Sequence, residues 1–167
     1  MPKNKVLVDL ITNNCPQFSA SLTKDEIKTF IKFTKEVVAK PDEIIADIAD
    51  IGDIGTEFYL VLEGRIRLTN DEGGKEMDVG RIEAGSLVGI MSFFDQQPRS
   101  IRLRASRKTG VHLLAISRPM YERICVEHPY ISVNLLELVV MSMDKLIRSG
   151  SKDIATMYKQ VAGVGYR

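Results

Sequence analysis

Residues 57–69 read EFYLVLEGRIRLT. Phe58, Tyr59, Val61, Ile66 and their neighbours make this a β-prone run, punctuated by Gly64, with no helical period in it. Similar runs lie on both sides: VVAKP from Val37, EIIADI from Glu43, EMDVGRI from Glu76, SIRLRA from Ser100 and GVHLLAI from Gly110. Glu72-Gly73-Gly74 can supply the positive φ of a hairpin, and Gly52, Gly55, Gly85 and Gly110 separate the other runs. Many short strands at this spacing predict a β-sandwich or barrel over residues 37–116.

Helical signals bracket the strands. Thr23 followed by Glu26 forms a capping box, and Leu22 with Ile27 supplies the flanking staple, so a helix is expected from Lys24 to about Phe33. After Ser117 the pattern turns helical, with Pro119 in a first turn; Pro129 then opens a second helix that is expected to reach about Ser149. The expected organisation is one α+β domain over residues 1–149. Residues 150–167 are read as a short tail containing perhaps one helical turn or two, too short for a DNA-binding domain.

The last helix is apolar on two sides. Ile131, Leu135 and Leu138 form one stripe, suited to packing on the strands; Leu136, Val139, Met143 and Leu146 form another at four-three spacing. The second stripe predicts a homodimer. A membrane span is disfavoured because Glu137 and Asp144 cut the apolar residues into pieces shorter than the roughly 20 needed.

Composition narrows the function classes. The chain has 167 residues, 44% hydrophobic and 27% charged, with a net charge of +1, so no global field draws it to nucleic acid or an anionic membrane. Cys15, Cys125, His112 and His128 do not assemble a zinc-type spacing, and the two cysteines fit a reducing compartment. No signal-peptide pattern opens the sequence, and a cytoplasmic location is expected.

Two ordered motifs carry a resemblance. Gly85–Ala105, GSLVGIMSFFDQQPRSIRLRA, resembles the phosphate-binding cassette of the cyclic-nucleotide-binding domains, in which Gly-Glu precedes a short helix and Pro-Arg-small follows. Ile51–Leu68, IGDIGTEFYLVLEGRIRL, resembles the paired-strand section of the same family. RICVEHPYISVNLLELV is similar to the junction of the B and C helices in catabolite-activator-type regulators. The resemblance implies a jelly-roll β-barrel with a long C-terminal helix, acting as a receptor for a cyclic nucleotide such as cAMP or cGMP. In that role an arginine pairs with the cyclic phosphate, a glutamate holds the ribose 2′-hydroxyl, and the C-helix covers the base.

The candidate ligand-binding residues are Gly89, Ile90, Met91, Ser92, Arg99, Ser100 and Arg102. Gly89 lets backbone N–H groups approach an anion, Arg99 offers a planar two-pronged donor, and Ser100 adds a hydroxyl. Ile90 stands at the family's glutamate position and has no acceptor for a ribose hydroxyl. A second guanidinium at Arg102 would suit a more anionic ligand or simply fill space. Leu146 and Ile147 align nearest the base and offer apolar cover.

Asp42 to Glu57 contains six carboxylates, but their interleaving with Ile and Ala is that of a solvated strand edge, not a calcium loop. Ser92, Ser100 and Cys125 lack a neighbouring histidine or a nucleophile motif. No catalytic residues, metal or cofactor are expected. The sequence therefore points to a regulatory sensor of a phosphate-bearing ligand, a homodimer that signals through its C-helix to a downstream protein, without DNA or membrane binding. The alternative is a degenerate cassette serving as a dimerisation or protein-interaction module.

Overall fold

The computed structural model describes residues 3–48 and 55–163. Three helices lead: α1 (Lys3–Asn14), α2 (Pro16–Ser19) and α3 (Lys24–Lys32). The strands β1 (Lys35–Ala39), β2 (Ile44–Ala46), β3 (Glu57–Glu72), β4 (Lys75–Glu83) and β5 (Leu87–Val88) follow. Next come α4 (Ile90–Asp95), β6 (Arg102–Ala105), β7 (Val111–Ser117), α5 (Arg118–Glu127) and α6 (Pro129–Gly163).

All strand pairings are antiparallel, and the sheet curls into a jelly-roll half-barrel with strand order β1-β7-β3-β6-β2 and with β4 and β5 also on β3. The decisive strand is β3. Its first half pairs with β7 and β5, its second with β4 and β6, and its register against β7 slips between Val61 and Glu63, where the strand turns the barrel's corner. Tyr59 and Val61 face the barrel interior while Phe58, Leu60 and Leu62 face the helices. A strand buried on both faces has no polar side to alternate with, which is why this part of the sequence is a continuous apolar run.

The hairpin expected at Gly73-Gly74 forms: both glycines have positive φ, at 60° and 78°, and Glu72 pairs directly with Lys75. The capping box also forms, with Thr23 Oγ1 accepting from the Glu26 N–H at 3.2 Å and Glu26 accepting from the Thr23 N–H at 2.7 Å. α1 was not legible in the sequence, since its β-branched residues and asparagines are poor helix formers. Tertiary burial decides it: Leu7, Val8 and Ile11 sit in the helix-side core with Phe18, Phe30 and Leu135.

The C-terminal helix departs from expectation in two ways. It does not end at Ser149 but runs unbroken for 35 residues through Gly150 to Gly163. One glycine costs a helix only about 1 kcal/mol, and the flanking residues propagate it. Second, the four residues expected to form the outer stripe divide. Val139 is buried in the core beside Ile131, Leu135 and Leu138, and Leu146 is half-buried against the barrel, so neither is available to a second copy. Leu136 and Met143 are exposed, and they belong to a different stripe with Val133, Val140, Ile147, Ile154 and Met157. The helix is rotated relative to the expected seam because the barrel takes both Val139 and Leu146.

Candidate ligand-binding site

The cassette closes one end of the barrel. Gly89 takes a left-handed φ of 80°, which turns the chain from β5 into α4. Arg99 folds back over that turn: its Nη2 donates to the Glu57 carbonyl at 3.4 Å. A Cβ at Gly89 would stand 2.9 Å from Arg99 Nη1, so glycine is required there both for the backbone angle and for the guanidinium's position.

A cavity of about 170 Å³ lies between the cassette, the barrel interior and α6. Gly89, Ile90, Met91, Ser92, Arg99 and Ser100 all line it, as six of the seven candidate residues. Leu146 closes it from α6, as expected for the residue nearest the base, whereas Ile147 is 64% exposed and points elsewhere. Leu68, Ile82, Ile101 and Leu103 complete the apolar wall. The sequence analysis missed these four; their signal was the strand alternation of β3, β4 and β6, which needs the pairing register to interpret.

Arg102 is the exception. It does not line the cavity but lies on the outer face of the sheet, with Nε on Asp47 at 2.6 Å and its two terminal nitrogens on Asp71 at 3.0 and 2.9 Å. Along residues 99–104, Arg99, Ile101 and Leu103 reach the cavity, while Arg102 and Arg104 join an ionic network outside. Arg67 belongs to the same network, on Asp42 at 2.5 Å and Asp78 at 2.6 Å. The Arg102 hydrogen bond, helped by the Ile48 N–H, holds the Asp47 carboxyl below the usual range; the Thr69 hydroxyl, with Arg104 and Arg102, does the same for Glu76. Asp50 and Asp53 of the acidic stretch lie outside the described residues.

Ile90 is 2% exposed and packs in the helix-side core while also edging the cavity. Ser92 is buried, and its hydroxyl donates to the Gly89 carbonyl at 3.4 Å, which leaves its lone pairs for other donors. Beneath α4, Phe93 packs edge-on against Phe58 and Tyr121, with centroids at 4.7 and 5.6 Å. Arg118 of α5 stacks over the Phe93 ring at 4.2 Å and donates to the Phe93 carbonyl. This clamp ties the cassette helix to the helix that precedes α6, and the sequence held no signal for it. The catalytic alternative gains nothing from Cys15, whose thiol burial pushes up to about 12, an inert value.

This fold, with a cassette arginine at the mouth of an apolar cavity capped by a long helix, defines a small-molecule-binding regulatory domain. The chain belongs to the cyclic nucleotide-binding domain family, whose model matches residues 38–128. It is 35% identical over 89 residues to the cyclic AMP receptor protein of Thermus thermophilus, covering 53% of this chain and 40% of that protein. It is 29% identical over 122 residues to a lysophospholipase of Neurospora crassa, covering 70% of this chain but 8% of the enzyme. The chain thus spans less than a tenth of that relative's length. In structure it is similar to a cyclic nucleotide-binding domain from Methylobacillus flagellatus, with a TM-score of 0.74 at 17% identity, over 90% of this chain and 85% of that one.

Proposed function

We propose that this domain is a non-enzymatic sensor that binds a phosphate-bearing small molecule in the cavity beside Arg99 and passes occupancy through α6 to a partner protein in the cytoplasm. The observation that carries the reading is the position of Arg99: it is the one cationic side chain lining a cavity whose opposite wall is Leu146 of the long helix. A ligand that fills this space contacts the cassette and α6 together. Its binding energy is then available to bias the helix, provided it differs between two helix positions.

Calorimetric titration with a panel of cyclic mono- and dinucleotides tests the reading. At least one phosphate-bearing compound is expected to bind the wild type, and Arg99→Ala is expected to abolish that binding without changing the unfolding midpoint. Binding that survives Arg99→Ala overturns it.

A specific observation favours a second reading, that of an interaction module. Ile90 removes the ribose acceptor, and about 170 Å³ is below the roughly 300–1,000 Å³ common for ligand sites. Under either reading we expect a parallel homodimer through Val133, Leu136, Val140, Met143, Ile147, Ile154 and Met157, which alternate at three and four residues with β-branched residues at every second position. Sedimentation should show a concentration-dependent dimer, weakened by Ile147→Asp; a monomer at all concentrations removes this part of the proposal.

A further inference from the structure

We infer that the ligand of this cavity is a small aryl phosphate, an anion on a benzene-sized apolar body, in place of a sugar-bearing nucleotide; the inference rests on the reading that Arg99 faces a ligand phosphate. Three observations carry it.

The first is size. The cavity measures about 170 Å³. Apolar protein cavities of about 150 Å³ accept benzene, whereas sites for larger organic ligands begin near 300 Å³. The cavity has room for one ring beside the anion.

The second is the wall. Leu68, Ile82, Ile90, Ile101, Leu103 and Leu146 surround the space away from Arg99. The polar side chains are few and partly committed: Ser92 donates to the Gly89 carbonyl, and Asp95 accepts the Gln97 N–H at 2.9 Å. A ribose seated here would bury hydroxyls against aliphatic carbon, at a loss of about 5- to 150-fold in affinity for each hydroxyl left unpaired. An aromatic ring has no such hydroxyls, and burying it is favourable.

The third is the head group. Arg99 carries five N–H donors in a planar fork, so it can keep the Glu57 carbonyl and still present a pair of donors to a phosphate. Ser100 lines the same corner and adds a hydroxyl.

Leu146 sets the size limit. A second cavity of about 420 Å³ lies beyond it and shares Leu68, Ile82 and Leu146 as its boundary with the first. Truncating Leu146 would join the two spaces and admit a second ring.

The test uses the full chain, with phenyl phosphate, inorganic phosphate, cAMP and 1-naphthyl phosphate as probes in calorimetric titrations. Phenyl phosphate should bind at least about tenfold more tightly than inorganic phosphate or cAMP, and Arg99→Ala should weaken it by at least about tenfold. Arg99→Lys, a milder change that keeps charge but loses the fork, should weaken it by about threefold or more. Leu146→Ala should move the preference toward 1-naphthyl phosphate by about threefold or more. If cAMP binds as tightly as phenyl phosphate, or inorganic phosphate does, the inference is overturned while the phosphate-sensor function stands. If no probe binds the wild type, or both Arg99 variants bind like the wild type, the inference and that function fail together.

Discussion

Arg99 and Arg102 are three residues apart and occupy opposite sides of the barrel wall. Arg99 lines an apolar cavity, with a backbone carbonyl of Glu57 as one partner. Arg102 lies outside with Arg67 and Arg104, among Asp42, Asp47, Asp71, Glu76 and Asp78. On the outer face, carboxylates use the guanidinium donors and cancel their charge. On the inner face, a guanidinium beside aliphatic walls keeps a stronger field, because little water or countercharge screens it. The same residue type is therefore structural on one face and a candidate for ligand recognition on the other.

The largest expected break in this comparison is Ile90→Glu. It puts a carboxylate at a site only 2% exposed, within the core. We expect a loss of about 3 kcal/mol of unfolding free energy at neutral pH by urea titration. Burial raises the new carboxyl's folded pKa, so the unfolded chain loses its proton first; the penalty should grow as pH rises above about 4.3 and fade below it. Where the variant remains folded, its ligand preference should move toward ribonucleotides and away from their 2′-deoxy forms.

Arg67→Ala tests the outer face. It strands Asp42 and Asp78, which are 52% and 36% exposed, so the loss should be about 2 kcal/mol, less than the roughly 3–5 kcal/mol for a fully buried pair. Ligand affinity should not change. If it does, the two faces are coupled and the separation drawn between them is wrong.

Arg99→Ala should show the reverse pattern: a change in stability of no more than about 0.5 kcal/mol, with ligand binding lost. A large stability loss would mean that Arg99 is a structural tie to Glu57.

The smallest effect is in acid. Asp47 and Glu76 have depressed carboxyl pKa values in the fold, so their contribution is present above about pH 4 and is lost as pH falls through the folded values. Urea midpoints should drop between pH 5 and about pH 2.5, and Arg102→Met should flatten that drop, since Arg102 bonds to both groups. An unchanged acid slope would show that the outer pairs are too solvated to matter.

Much of the fold was legible because local chemistry dictated it. The Thr23–Glu26 box, the Gly73-Gly74 hairpin and the run at 57–62 each state their conformation in a few residues. The cassette was legible by resemblance, and six of its seven candidate residues do line one cavity. α1 was not legible, because its helix depends on a surface supplied by β3 and α3.

Sequence alone thus determined the elements and the segment that holds the anion-facing arginine, since caps, turns and strand composition act over a few residues. Tertiary structure decided which arginine faces inward, which side of α6 remains exposed, and that Ile90 belongs to the core as well as to the cavity. These are questions of register and rotation. A shift of one residue in a strand, or of one position around a helix, exchanges inside for outside while leaving every local signal intact.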